Sequence, residues 1–198
     1  MKIGIDFDNT IISYEKLFYD TALEKGLINK EIKPTKLSVR NFLRSRNQDY
    51  IFTGIQAEVY GPLIKKAKVF PNIQNTLNRF SQEHNFFIVS HKTRNPYIGP
   101  KYNLHKYASD WLKSKSLHPF IENSPIKELY FEETIEKKIE RIEQLECDFF
   151  IDDLPKVLKL LKKEITPILF DPNYENLDNF PKKYTMNNWE QLSDFINN

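Results

Sequence analysis

The stretch Lys2 to Ile12, KIGIDFDNTII, constrains this chain more than any other. It reads as a buried β-strand that runs into two carboxylates and a hydroxyl, Asp6, Asp8 and Thr10. Residues two apart on a strand point the same way, so the pattern predicts Asp6 and Asp8 aimed at one spot where the apolar run ends. Two carboxylates that close repel each other. A divalent cation can neutralise both, or their surroundings can divide them into nucleophile and general acid. Taken singly, an Asp before a Thr is also an ordinary loop mouth or helix N-cap.

Three further features follow in order. Phe86-Phe87-Ile88-Val89 reads as a strand ending on Ser90. Next come Lys137 and Lys138, near the start of a charged helix over Glu133 to Glu146 with Ile135, Ile139, Ile142 and Leu145 on its inner face. Finally, Cys147-Asp148-Phe149-Phe150-Ile151 reads as a short strand that ends in a second carboxylate pair, Asp152 and Asp153. Adjacent residues alternate faces on a strand, so one of that pair is expected to face a cation directly. Asp152 is the preferred ligand, with Asp153 acting through water or capping the helix that starts at Leu154 or Pro155.

This order resembles the haloacid dehalogenase superfamily of phosphatases and related hydrolases. Asp6-Phe7-Asp8-Asn9-Thr10 matches the family's first motif, Ser90 its second, Lys137 or Lys138 its third, and Asp152-Asp153 its fourth, over residues 2 to about 170. The resemblance implies a Mg²⁺-dependent phosphatase that hydrolyses a small phosphomonoester, a sugar phosphate or nucleotide, through an aspartyl-phosphate. Asp6 would be the nucleophile, and Asp8 the acid that protonates the leaving group and then activates water. The family's dehalogenases lack this second Asp, so Asp8 favours phosphate chemistry. Thr10, Ser90 and a lysine would bind the phosphate. Lys138 is the preferred lysine, because its spacing of 14 residues before Asp152 suits the resemblance. The metal set would be Asp6, Asp8 through its main-chain carbonyl, Asp152 and Asp153, an all-oxygen site suited to Mg²⁺.

Other classes explain less. A catalytically weak binding or regulatory module would not need Asp6, Asp8 and Asp152 together. A receiver domain would not carry its acid nucleophile on the first strand. A glycosyltransferase reading of Asp-x-Asp leaves Ser90, the lysine and the second acidic pair unused. A nucleic-acid-end phosphatase is motivated by the basic stretch with Lys92, Arg94, Lys101, His105 and Lys106, although such a run is more often a solvated rim.

Length, 198 residues, suits one buried domain with a small insert. The net charge of +2 argues against nucleic acid or membrane as a general partner. One cysteine, Cys147, forms no internal disulfide and reads as an inert thiol beside the core. With the first strand at residue 2 and no apolar run long enough to span a bilayer, a cytoplasmic protein is expected. Nothing in the sequence fixes an oligomeric state.

Strands alternating with helices predict an α/β fold, a Rossmann-like parallel sheet of about five strands covered by helices. Roughly 70 residues of helical pattern separate the first two strands, too many for a plain crossover. Residues 14–80 are therefore expected to form an insert, which the resemblance implies is a small α-helical cap, with 1–13 and 81–198 the α/β core. In the resembling family such a cap selects substrate.

Overall fold

A computed structural model describes residues 1–176 and 179–196; the last two residues of the expected core, 197–198, lie outside them. In chain order the elements are β1 (Lys2–Ile5), β2 (Ile12–Ser13), α1 (Glu15–Glu24), α2 (Lys36–Arg44), α3 (Asp49–Tyr60), β3 (Lys68–Val69), α4 (Ile73–Phe80) and β4 (Asn85–His91). Then follow α5 (Leu104–Ser114), β5 (Ile126–Glu132), α6 (Ile135–Gln144), β6 (Phe149–Asp152), α7 (Pro155–Leu158), β7 (Thr166–Phe170), β8 (Thr185–Met186) and α8 (Ser193–Ile196). No described helix is long and apolar enough to cross a membrane.

Among the described residues the main sheet has six strands in the order β5-β4-β1-β6-β7-β8, every neighbouring pair parallel. Five were expected. The sixth, β8, is a pair of residues in a loop-rich tail, too short to show a period of two. It extends the sheet through Leu169↔Thr185 and Phe170↔Met186.

The chain divides into two compact units, 1–12 with 69–92 and 113–198, and 13–68 with 93–112. This differs from the expected insert at 14–80 at two places. Helix α4 belongs with the sheet unit, where it buries Ile73, Thr76, Leu77 and Phe80. Conversely, most of the stretch after β4 joins the helical unit: Trp111 is buried and its indole N–H donates to the Ala67 carbonyl at 3.2 Å. A continuous insert could not show this, because the second segment returns to the unit from elsewhere in the sequence.

In the sheet unit, one core cluster joins Phe87 and Val89 of β4, Phe150 of β6 and Leu169 of β7 to Ile142 of α6 and Leu158 of α7. Gly4 on β1 sits in register with Phe87 and Phe150. A Cβ there would meet the Phe150 ring at 2.5 Å and Cys147 Sγ at 3.1 Å, so the absent side chain admits both. The helical unit has its own core, where Tyr14 meets Tyr60 edge-on at 4.9 Å and Phe18 stacks on Phe52 at 5.3 Å. Gly26, at φ 67, supplies the left-handed turn just after α1.

Candidate active site

Because β4, β1 and β6 are adjacent and parallel, their carboxyl ends share one edge, the usual place for ligands in such sheets. Strand β1 stops at Ile5, but the Asp6 N–H still donates to the Ile151 carbonyl at 2.8 Å. Asp6 is thereby fixed at the end of the ladder. The chain then folds tightly: the Phe7 carbonyl accepts the N–H groups of both Ile11 and Ile12, and Asn9 takes a left-handed φ of 58°. Asn is among the residues that tolerate this conformation. The Trp189 indole N–H, from the tail, donates to the Thr10 carbonyl at 3.2 Å and braces the loop.

Asp6 is buried. Its Oδ1 accepts from Ser90 Oγ at 2.9 Å and from Lys138 Nζ at 2.5 Å. Lys138, equally buried, also donates to Asp152 Oδ2 at 2.6 Å, so one ammonium bridges two carboxylates from neighbouring strand ends. Its position follows from local sequence. Thr134 caps α6 by accepting from the Lys137 N–H, and the Lys138 N–H donates to the Thr134 carbonyl, which puts Lys138 on the buried side of the first turn. Lys137, one residue earlier, is exposed. Of the two candidates, the structure brings Lys138 to the carboxylates.

Asp152 closes β6 and is fully buried. Its Oδ1 accepts the Leu154 N–H at 2.8 Å, so the turn into α7 is held by Asp152. Asp153 was expected as an alternative cap there; the N-cap position is Leu154, whose own side chain makes no cap hydrogen bond. Among the described residues, Asp6, Asp152 and Asp153 form the carboxylate group able to hold a metal ion, each offering an oxygen within 4.8 Å of the others. Such an all-oxygen set fits Mg²⁺ better than a softer metal. The Asp8 carboxylate is not part of that group.

Asp8 instead faces Lys92, whose Nζ donates to both of its carboxylate oxygens at 2.9 and 2.8 Å. The sequence left Lys92 open between a basic rim around the site and a solvated loop. Lys92 is in fact almost fully buried, with its ammonium 5.3 Å from the centre of the Phe7 ring. A signal for it existed. The Lys92 N–H donates to the Glu132 carbonyl, which continues the β4–β5 ladder beyond His91, and alternation then puts Lys92 on the same side as Ser90. Among the described residues, the Thr10 hydroxyl and the Asn9 side-chain oxygen are buried without a hydrogen-bond partner.

Electrostatics separate the groups further. Burial, opposed by Lys138 and reinforced by Asp152 and Asp8, pushes the Asp6 carboxyl up to about 7. Lys138 loses solvation on burial, yet Asp152 and Asp6 more than offset this and hold its ammonium above the ordinary lysine range. The set is a nucleophile candidate held by a hydroxyl and a cation, beside a carboxylate held by a cation of its own.

The sequence matches no protein-family model and no curated protein. Solved structures do match. A haloacid dehalogenase-like family hydrolase from Streptococcus pneumoniae superposes with a TM-score of 0.61 at 13% identity, over 98% of this chain and 97% of that one. An HAD-superfamily hydrolase of subfamily IA from Geobacter sulfurreducens gives 0.61 at 10% identity, over 98% and 95%. The fold is that of the haloacid dehalogenase-like hydrolases. A Bacillus subtilis protein described as an HAD-hydrolase bound to magnesium gives 0.56 at 13% identity, over 100% and 98%. Dehalogenases share this fold too: a 2-haloacid dehalogenase from Pseudomonas syringae gives 0.52 at 10% identity.

Proposed function

We propose that this chain is a Mg²⁺-dependent phosphatase that hydrolyses a small phosphomonoester, a sugar phosphate or nucleotide, through an aspartyl-phosphate on Asp6. One observation carries the reading. Asp6 and Asp8 have separate cationic partners, Lys138 and Lys92, so the two carboxylates are equipped for different tasks. A dehalogenase needs the first of these but not a second acid, and Asp8 with its dedicated lysine is unexplained on that reading.

In the first half-reaction a carboxylate oxygen of Asp6 attacks phosphorus while the bond to the leaving oxygen breaks, and Asp8 gives its proton to that oxygen. In the second, Asp8 takes a proton from water as the water oxygen attacks phosphorus. The Asp6–phosphorus bond then breaks and inorganic phosphate departs. Ser90 and Lys138 hold the Asp6 carboxylate in one orientation throughout, and Lys138 offsets the charge of the phosphoryl group. The unpaired Thr10 hydroxyl finds in a phosphate oxygen the partner it lacks. Asp6, Asp152 and Asp153 would hold Mg²⁺, whose charge would screen the repulsion between these carboxylates and the phosphate. To the helical unit, 13–68 with 93–112, we assign the selection of substrate.

The test is phosphate release from a broad panel of phosphomonoesters, with Mg²⁺ present or chelated, by wild type and Asp6→Asn. The reading expects turnover that requires both metal and Asp6. Turnover that survives Asp6→Asn would refute it.

A further inference from the structure

We propose that Lys92 is a positioning residue for phosphoryl transfer, holding Asp8 in place for proton exchange with the leaving group. The inference rests on the phosphatase reading and adds to it a residue outside the motifs of the resembling family. Two observations carry it.

First, the contact is bidentate and enclosed. Two of the three ammonium donors of Lys92 go to the two oxygens of Asp8, and the lysine side chain is 2% exposed against 22% for Asp8. An exposed lysine pairs loosely, at little gain. A buried one is ordered, and its partner is ordered with it.

Second, the lysine is fixed at both ends. Its main-chain N–H is locked to the Glu132 carbonyl at 2.8 Å, and its ammonium lies beside the Phe7 ring, which itself meets Phe131 edge-on at 6.0 Å. Phe7 is the residue between Asp6 and Asp8. The same side chain that separates the two carboxylates in sequence also packs against the lysine that serves the second.

A purely structural ion pair would look similar, so the test must read chemistry. Wild type, Lys92→Met, Lys92→Arg, Asp8→Asn and the double variant Asp8→Asn with Lys92→Met are compared on an alkyl phosphomonoester, whose leaving group needs a proton, and on p-nitrophenyl phosphate, whose leaving group does not. General acid catalysis contributes roughly 10²–10⁴-fold, so losing its alignment in Lys92→Met is expected to lower kcat/KM, which reports the first half-reaction alone, by about 10- to 100-fold on the alkyl ester. KM should move by less than about 3-fold, since the loss lies in the transition state. The loss on p-nitrophenyl phosphate should be distinctly smaller, and the double variant should be no slower than Asp8→Asn alone.

Equal fractional loss on both substrates, or additive losses in the Asp8→Asn background, would overturn the proposal. Thermal melts establish which variants fold. Should Lys92→Met not fold, Lys92→Arg, which keeps the charge but moves the donors, carries the same two-substrate comparison. A wild type that turns over neither ester removes the phosphatase reading, and this inference with it. Turnover that stops in Asp6→Asn but keeps its substrate ratio in Lys92→Met removes only the role of Lys92.

Discussion

Asp6→Asn should abolish turnover and at the same time stabilise the metal-free fold. In the structure two buried carboxylates, Asp6 and Asp152, share the single ammonium of Lys138. An asparagine keeps an acceptor oxygen for Ser90 and Lys138 and removes one of the two charges. The carboxyl of Asp6 is raised from its ordinary 3.8 to about 7, first by burial. A raised acid favours its protonated form in the fold, so its contribution is fully present below about pH 4 and is lost as pH rises through about 7. The difference is about three pH units at 1.36 kcal/mol each, which sets a ceiling of about 4 kcal/mol. Urea unfolding in chelator, followed by circular dichroism, reads it. Wild type and variant should match near pH 4, and above pH 7 the variant should be more stable by up to about that ceiling. Added Mg²⁺ should then narrow the gap by binding folded wild type. A variant less stable than wild type at pH 8 in chelator would refute the reasoning, because attraction to Lys138 would then outweigh burial.

Lys138→Met should cost about 3–5 kcal/mol, since it strands two buried carboxylates, whereas Lys137→Met should stay within about 0.5 kcal/mol in the same unfolding assay. Gly4→Ala should destabilise by about 1–3 kcal/mol by overpacking, because the Phe150 ring lies 2.5 Å from the new Cβ and must move; thermal melts would show it. Cys147 is 3% exposed and burial pushes its thiol up to about 12. A thiol reagent should therefore modify it only on unfolding. Stability should also fall as pH rises above about 9, where the unfolded chain gives up that proton and the folded chain keeps it.

Much of this was legible in the sequence because strands and their ends are written locally. The apolar runs before Asp6, Ser90 and Asp152 each became a strand, and three of the six strands converge there. Lys138 was preferred for its spacing before Asp152, whereas the Thr134 cap that puts it on the buried side of the first turn is seen in the structure. What could not be read depends on contacts distant in sequence. Lys92 looks like loop because the residues after it are rich in Pro, Gly and charge, yet its own backbone still belongs to the ladder with β5. Trp189 reaches Thr10 across 179 positions, and no local pattern announces that. The compact units depart from the expected insert at the same kind of point, where Trp111 pairs with Ala67 from a separate segment. A two-residue strand such as β8 carries no periodicity at all.

The central claim is that Asp6 takes up the phosphoryl group. Its most direct measurement is a rapid acid quench of wild type turning over a phosphate-labelled phosphomonoester with Mg²⁺, followed by peptide mapping of the protein-bound label. The account predicts transient label on the peptide that contains Asp6, and none in Asp6→Asn. Steady turnover with no label on the protein, or label on another residue, would contradict it.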